Sequence, residues 1–385
     1  MLIHNLRLKN WRNFTHVNVD LQKRQFIVGP NASGKSNLLD AFRFLHDIAK
    51  QRGGGLQEAI GKRGGISKIR CLSARRDPEI SIGVSITDSE TDEHPKWQYE
   101  IGIKQEQSGY RKPYVSYEKV CNSRGRIILE RPDKGDKADT ERLKQTYLEQ
   151  VNNNQPFREI GQYFEKITYM HLVPQLLRHS DDIQGKVLED DPFGQGFLEN
   201  MARTPKKSRD SRLKKINEII KIAVPRLKEI SFDRDADTGR PHITALHSHW
   251  RPNAGRQKED QFSDGTLRLM ALIWSLLEGD SLLLLEEPEL SLHAGIVERL
   301  APLLYRTQKV RNRQVLISTH STELLSDAGI GGEEVLLLAP TGEGTKVEVA
   351  SDLGDIRPLL HKGIPVGDLV IPRTRPENFS ELEIS

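Results

Sequence analysis

Residues 29–36 read GPNASGKS and match the pattern G-x-x-x-x-G-K-[ST] at every fixed position. The short apolar run 25–28 before this segment is typical of a buried strand, and the apolar residues within 38–48 recur at helical spacing. A strand, a glycine loop and a helix in this order can wrap backbone N–H groups around phosphates. In such a loop the lysine, Lys35, reaches the β- and γ-phosphates and the hydroxyl of Ser36 binds Mg²⁺. The pattern therefore predicts an ATP site in an α/β fold, because a chance glycine-rich turn would lack the flanking strand and helix.

A second segment, residues 282–289, reads LLLLEEPE. Four consecutive leucines suit a strand that is buried on both faces, and acids at its carboxyl end face the crevice where α/β proteins bind ligands. Glu286 is then the candidate Mg²⁺ ligand, and Glu287 the candidate general base that polarises an attacking water. An ordinary acidic loop after a strand is the alternative, and the phosphate loop in the same chain disfavours it.

Two more segments carry candidate phosphate contacts. Residues 262–268, FSDGTLR, begin an apolar helix, so Ser263 and Gly265 form either a plain N-cap or a second anion site at a helix N-terminus. Residues 315–321, VLISTHS, place His320 after a buried strand, where it is either a structural histidine or a sensor of the γ-phosphate. The order of the four segments favours the nucleotide-binding alternative for both.

The last third of the chain alternates between helical and strand patterns, which is the signature of a sheet with parallel strands. These elements are expected as a helix at 264–277, a strand at 282–286, a helix at 294–307, a strand at 314–318, a helix at 321–327 and a strand at 334–338. Residues 66–130 instead show the alternation of several antiparallel strands, and residues 190–230 form a helical insertion. We therefore expect a first lobe at 1–175, a helical insertion at 176–235 and a second lobe at 236–385.

Composition adds few constraints. The formal net charge of +3 neither requires nor excludes nucleic acid, and the two cysteines are too few for a disulfide framework. No apolar run approaches the length of a membrane span, so we expect a cytoplasmic protein without a membrane partner. Three aspartates at 233, 235 and 237 suggest a calcium loop, but Thr244 stands where the closing carboxylate belongs, so a turn between strands is expected.

Together the four segments resemble those of ABC-type ATPases of the SMC, RecF and OLD group. The opening residues 8–14, LKNWRNF, are similar to the N-terminal strand of RecF-like heads. The segments EEPELSLH at 286–293 and STHS at 318–321 resemble a branch of ATPases found beside bacterial genome-defence genes. The likeness covers residues 1–50 and 255–340, and it implies an ATPase head with a mixed central sheet, an antiparallel β lobe and a helical insertion.

The resemblance also implies a composite ATP–Mg²⁺ site that two copies of the chain complete together. The residues implied for nucleotide binding by one copy are Gly29, Asn31, Ser33, Gly34, Lys35, Ser36, Asn37 and Arg12. The second copy would cap the γ-phosphate with Ser263 and Gly265. Ser36, Glu286 and Gln175 are the implied Mg²⁺ ligands, with Glu287 and His320 as the catalytic residues.

The sequence departs from the family pattern at two positions. Glu286 replaces the aspartate that most ABC proteins carry, and Ala294 replaces the proline that usually follows the histidine at position 293.

The implied partners are a second copy of the chain, with larger assemblies left open, and a separate effector. The roughly 65 residues after His320 contain no acidic cluster of the TOPRIM type, so we expect the effector to be a separate nuclease that this ATPase gates or scaffolds in anti-phage defence. The alternative is a RecF- or SMC-like ATPase of DNA repair or recombination that binds double-stranded DNA. The basic stripe 206–215 is either a phosphate-binding surface for such DNA or a solvated helix face. The strand-rich middle disfavours a transporter motor.

Overall fold

The computed structural model describes residues 1–74, 77–178, 193–248 and 256–375. The strands are β1 (Leu2–Trp11), β2 (Phe14–Asp20), β3 (Arg24–Val28), β4 (Ile80–Thr87), β5 (Trp97–Gln105), β6 (Pro113–Asn122), β7 (Ile127–Arg131), β8 (Thr168–Met170), β9 (Leu227–Arg234), β10 (Pro241–His247), β11 (Arg256–Lys258), β12 (Leu283–Glu286), β13 (Val315–Ser318), β14 (Val335–Thr341) and β15 (Gly344–Val349). The α-helices are α1 (Lys35–Ala49), α2 (Leu56–Gly61), α3 (Ile66–Ile69), α4 (Lys134–Ala138), α5 (Arg158–Glu165), α6 (Pro174–Arg178), α7 (Phe197–Arg203), α8 (Lys206–Ala223), α9 (Asp264–Leu277), α10 (Ala294–Val297), α11 (Leu300–Arg311), α12 (Arg357–His361) and α13 (Val366–Val370).

The strand that precedes the glycine loop belongs to a six-stranded mixed sheet in the order β15-β14-β3-β13-β12-β8. The five strands from β14 to β8 pair in parallel, and β15 pairs with β14 in the antiparallel direction. Because β3, β12 and β13 are neighbours and parallel, the loops after them lie at one edge of the sheet, where open α/β sheets bind ligands. This placement confirms the predicted α/β class with a mixed central sheet.

A second six-stranded sheet, in the order β2-β1-β4-β5-β6-β7, is antiparallel throughout and forms the predicted β lobe. The side chain of Gln314 joins the two sheets, since its amide accepts from the backbone N–H of Ile3 at 2.8 Å and donates to the Ile3 carbonyl at 2.8 Å. A buried amide that is paired on both sides fixes the relative position of β1 and β13.

The parallel sheet separates two hydrophobic clusters. Leu282 and Leu284 belong to the cluster that also contains the apolar face of α1, whereas Leu283 and Leu285 belong to the cluster around α9. Alternate leucines of the same segment are therefore buried on opposite faces of the sheet, as the four-leucine run predicts.

The basic helix α8 lies beside a small antiparallel sheet in the order β11-β10-β9. Strand β9 pairs with β10, and the residues between them form a turn in which Asp235 Oδ1 accepts from the N–H groups of Asp237 (3.1 Å) and Thr238 (2.9 Å). The predicted turn is thus confirmed. Residues 179–192 of the expected insertion 176–235 lie outside the described residues, and β9 lies at its other end.

Two helix predictions need correction. The helix expected at 294–307 is divided into α10 and α11, because Pro302 has no N–H to donate to the carbonyl of Glu298. The helix expected at 321–327 is wrong: the segment forms turns, in which the Ser321 hydroxyl accepts from the Leu324 N–H at 3.1 Å. Serine side chains that accept from nearby backbone N–H groups compete with helical hydrogen bonds.

Candidate nucleotide site

The loop between β3 and α1 has the tight backbone that a phosphate loop requires. Gly34 has a φ of 100°, in the region that favours glycine, and a Cβ there would lie 2.2 Å from Asn13 Nδ2. Lys35 Nζ donates to the carbonyls of Gly29 at 3.1 Å and Pro30 at 3.2 Å, so its ammonium group curls back over the loop. Helix α1 begins at Lys35 and directs its N-terminal N–H groups into this loop.

Ser36 meets the acidic end of β12. Its hydroxyl donates to Glu286 Oε1, and the hydroxyl of Tyr169 on β8 donates to Glu286 Oε2. A hydroxyl and a carboxylate oxygen are hard oxygen ligands of the kind that Mg²⁺ prefers, and Mg²⁺ completes its shell with phosphate oxygens and water. Within the described ranges no cluster of three or more His, Cys, Asp or Glu side chains forms a separate metal site. The contact between Ser36 and Glu286 therefore fits a nucleotide-bound Mg²⁺.

Glu287 occupies a strained position beside His320. Its φ of 44° lies in the left-handed region, and its N–H donates to the Ser318 carbonyl at 3.0 Å, which ties the end of β12 to the end of β13. Non-glycine residues persist in that region only where the surrounding structure holds them, and they cluster at functional sites. Glu287 Oε1 lies 3.5 Å from His320 Nε2, so the two predicted catalytic residues face each other.

Burial and charge tune the ionisable groups of the site. Burial lowers the pKa of Lys35, and the carboxylates of Glu287 and Glu286 oppose that shift. Burial also lowers the pKa of His320, helped by the positive charge of Lys35 and opposed by Glu287. His320 is thus biased towards its neutral form, in which one ring nitrogen donates and the other accepts.

Glu289 was not predicted from sequence, yet it positions the histidine loop. Its buried Oε1 accepts from the Thr319 hydroxyl at 2.5 Å and from the His320 N–H at 3.3 Å. Burial raises the pKa of Glu289, and these two hydrogen bonds oppose the shift. No sequence pattern links residue 289 to residue 319. The only signal in the sequence was the position of Glu289 directly after Pro288, in the same acidic segment as the predicted Glu286 and Glu287.

Asn13, also unpredicted, supports the glycine loop from the turn between β1 and β2. Its Nδ2 donates to the Ser33 carbonyl at 2.7 Å, and its Oδ1 accepts from Asn37 Nδ2 at 2.8 Å. The predicted neighbour, Arg12, has its guanidinium 2.7 Å from Asp40 of α1. The contact of Arg12 with nucleotide stays a prediction.

The remaining predicted residues lie at the two ends of the site. Asn31 is exposed at the tip of the loop, and the buried Ser33 Oγ has no hydrogen-bond partner among the described residues. Gln175 is exposed, and its Nε2 donates to Asp264 Oδ2 at 3.0 Å at the start of α9. The structure therefore pairs Gln175 with the first residue of α9, and the role of Gln175 as a metal ligand stays a prediction.

Segment 262–268 contains an exposed helix cap. Ser263 is the N-cap of α9, and its Oγ accepts from the Thr266 N–H at 3.3 Å while the residue itself stays exposed. At Gly265 a Cβ would lie 2.4 Å from the Ser291 carbonyl oxygen, so this glycine lets the loop after β12 approach the first turn of α9. Ser263 is thus an N-cap that remains exposed, and the contact of Ser263 and Gly265 with a γ-phosphate stays a prediction.

Comparison with known proteins agrees with this geometry. A family model described as "AAA domain, putative AbiEii toxin, Type IV TA system" matches residues 26–326, and one described as "P-loop containing region of AAA domain" matches residues 3–47. Two solved structures resemble the fold at low sequence identity. The SmcHead bound to the C-winged helix domain of ScpA has a TM-score of 0.53 and 16% identity over 90% of this chain and 98% of that one. An Smc head with an extended coiled coil, bound to the C-terminal domain of ScpA derived from Pyrococcus furiosus, has a TM-score of 0.50 and 15% identity over 94% and 98% of the two chains.

The curated relatives match over shorter stretches. Endonuclease GajA of Bacillus cereus (strain VD045) is 33% identical over 96 residues, which are 25% of this chain and 15% of that protein. The DNA replication and repair protein RecF of Bacillus mycoides (strain KBAB4) is 32% identical over 88 residues, 23% of this chain and 24% of RecF. The chain thus spans less than a quarter of the length of each of these two relatives.

The family models define a P-loop ATPase, and its fold resembles that of Smc heads. The chain belongs to the AAA family described as AbiEii-like, whose model matches more than half of its length. In the described parts of the chain, no helix is both long and apolar enough to cross a membrane.

Proposed function

We propose that this chain binds ATP with Mg²⁺, closes on ATP against a second copy of itself, and gates a separate effector through that closure. The observation that carries the proposal is the meeting of Ser36 with Glu286, directly beside the facing pair of Glu287 and His320. The elements of a phosphate site and of a hydrolytic site thus lie at one edge of the parallel sheet.

Each residue has a separate task in the proposed hydrolysis. The loop N–H groups and Lys35 bind the β- and γ-phosphates, and Ser36 and Glu286 would hold Mg²⁺, which neutralises developing charge on the phosphates when it is bound. The Glu287 carboxylate orients the attacking water and accepts its proton. His320, biased to the neutral form, donates from one ring nitrogen towards the γ-phosphate. Glu289 holds the His320 loop in place through Thr319.

The second copy enters the proposal through Ser263 and Gly265. Ser263 is exposed, and the N-terminal N–H groups of α9 carry partial positive charge. In the proposed dimer this helix end of one copy caps the γ-phosphate held by the other copy. ATP then joins the two heads, and hydrolysis separates them. Assemblies larger than a dimer remain compatible with this closure.

The effector is proposed to be a nuclease, in bacterial anti-phage defence. Two points support this role: the resemblance to ATPases encoded beside genome-defence genes, and the similarity to a protein named endonuclease GajA. The similarity covers 15% of that protein, so its endonuclease activity is not carried over to this chain, and the nuclease partner is part of the proposal.

A RecF- or SMC-like role in DNA repair is the second candidate, and helix α8 favours it. The basic stripe 206–215 of α8 contains four exposed lysines, which are Lys206, Lys207, Lys214 and Lys215. Arg209 and Arg212 of the same stripe instead stack on Phe232 and Trp274, at 4.1 and 4.7 Å from the ring centroids. If α8 contacts the phosphates of double-stranded DNA, reversing the four lysine charges weakens DNA binding and flattens its salt dependence. Salt-independent binding, or none, would count against this candidate.

The direct test of the hydrolytic assignment compares wild type with Glu287→Gln and Lys35→Ala. We expect Glu287→Gln to bind ATP normally and to lose about a hundredfold or more in kcat, because the glutamine cannot accept a proton from water. Lys35→Ala is expected to lose ATP binding itself. Equal turnover in wild type and Glu287→Gln would place the hydrolytic residue elsewhere.

A further inference from the structure

We propose that Tyr169 is a positioning residue that holds Oε2 of Glu286, so that the long glutamate side chain keeps its other carboxylate oxygen at Ser36. The inference rests on the proposed function, because it assumes that Glu286 and Ser36 hold the nucleotide-bound Mg²⁺. It concerns a residue that no sequence motif of the chain includes.

The contacts of Glu286 divide between its two oxygens. Ser36 donates to Oε1 and Tyr169 donates to Oε2, so one oxygen faces the glycine loop and the other faces the edge strand β8. A phenol is protonated at neutral pH and acts as a hydrogen-bond donor to a carboxylate. The hydroxyl of Tyr169 thus fixes the rotation of the carboxylate and leaves Oε1 directed at Ser36.

Strand register explains why Tyr169 reaches Glu286. Strands β8 and β12 are parallel, with Tyr169 opposite Leu284, and Glu286 follows two positions further along β12 on the same face. A tyrosine side chain is long enough to lean along the strand to that next position. The tyrosine ring itself is held by Arg43 of α1, whose guanidinium carbon lies 4.0 Å from the ring centroid. A continuous set of side-chain contacts therefore runs from Arg43 of α1 to Tyr169 of β8, then to Glu286 of β12, and back to Ser36 at the start of α1.

The length of the glutamate side chain is the reason that this support matters. Glutamate has one more C–C bond than aspartate, about 1.5 Å, and one more rotatable torsion. The extra torsion lets the carboxylate move away from a metal ligand position unless a partner restrains it. Hydrogen bonds to metal-binding side chains commonly contribute about ten- to a hundredfold to metal affinity. An aspartate at position 286 would be too short to contact Ser36 and Tyr169 together.

The test measures Mn²⁺ binding to the protein–ADP complex by electron paramagnetic resonance, in wild type, Tyr169→Phe, Glu286→Asp and the double variant. We expect Tyr169→Phe to weaken Mn²⁺ binding about tenfold when Glu286 is present and less than about twofold when it is combined with Glu286→Asp. ADP affinity without metal is expected to be unchanged, which separates metal positioning from a general loss of structure.

Tyr163→Phe is the matched control. Tyr163 lies on α5, and its buried hydroxyl has no hydrogen-bond partner among the described residues. Its loss is expected to leave Mn²⁺ affinity unchanged. If Tyr169→Phe changes Mn²⁺ affinity equally in wild type and in Glu286→Asp, or in neither, the positioning role of Tyr169 is overturned. A Ser36→Ala variant that binds Mn²⁺ as wild type does would instead contradict the proposed metal site, and the role of Tyr169 would fall with it.

Discussion

His320 Nε2 and Glu287 Oε1 face each other across 3.5 Å at the carboxyl ends of two neighbouring parallel strands. This distance brings the imidazole and the carboxylate into van der Waals contact, and it is longer than a typical N–H···O hydrogen bond. Glu287 has positive φ, and Glu289 fixes the backbone of His320. The pair is therefore held in place by its surroundings, as is common at functional sites.

The lowered pKa of His320 predicts a specific pH dependence of stability. The unfolded histidine has a pKa of 6.5, and burial lowers the value in the folded protein. As pH falls below 6.5 the unfolded state binds a proton that the folded state resists, so the free energy of unfolding falls until pH passes the folded pKa. Above 6.5 this contribution is fully present.

Urea unfolding between about pH 5 and pH 8 measures the free energy of unfolding of wild type and of His320→Asn. The difference between the two proteins at each pH gives the contribution of His320. We expect wild type to lose stability relative to His320→Asn on the acid side only. A constant difference between the two proteins across that range would show that folding does not lower the pKa of His320.

Ser263→Asp separates the N-cap role of this residue from the proposed γ-phosphate contact. Aspartate caps helices about as well as serine, so the free energy of unfolding is expected to change by less than about 0.5 kcal/mol. A carboxylate beside the γ-phosphate of the other copy would repel it, and we expect ATP-dependent dimerisation to weaken about a hundredfold or more. Analytical ultracentrifugation with ATP and Mg²⁺ measures the change.

Ser208→Asp is the matched control, because Ser208 is an exposed serine in the first turn of α8. It adds the same charge near a helix N-terminus that has no proposed role in the dimer. Dimerisation that responds equally to both substitutions would argue for a general charge effect and against the contact of Ser263.

Glu289→Ala tests how the histidine loop is held. Thr319 is fully buried, and Glu289 is the acceptor for its hydroxyl. Removing the acceptor is expected to lower the free energy of unfolding by about 1–3 kcal/mol, whereas Glu289→Gln keeps an acceptor oxygen and is expected to cost less. Thr319→Val removes the hydroxyl that Glu289→Ala leaves without an acceptor. Thr319→Val should therefore lower the free energy of unfolding less in the Glu289→Ala protein than in wild type. A cost for Glu289→Gln equal to that of Glu289→Ala would contradict this assignment.

The parts of the fold set by local pattern were predictable from sequence. Helix α9 begins and ends at the predicted residues, because a serine cap precedes it and its apolar residues keep helical spacing. Strand β12 was found from its four leucines, since a strand buried on both faces needs no polar alternation. The predicted helix 321–327 failed because the side chain of Ser321 satisfies backbone groups locally, which apolar spacing does not reveal.

The supporting residues of the site were not predictable from one sequence. Tyr169 and Glu286 are brought together by the pairing of β8 with β12, and Asn13 reaches the glycine loop from a different sheet. Such contacts join positions far apart in the chain, and no short motif encodes their spacing. The predicted residues belong to short motifs, whereas the unpredicted ones contact those residues and hold them in place.

The measurement that bears most directly on the proposed switch is the mass of Glu287→Gln by light scattering, with and without ATP and Mg²⁺. The variant should bind ATP without hydrolysing it, so we expect its mass to double on addition of ATP and Mg²⁺ and to return to the monomer value when nucleotide is removed. Lys35→Ala should show no change under the same conditions. A mass of Glu287→Gln that is the same with and without nucleotide would contradict closure of two heads on ATP.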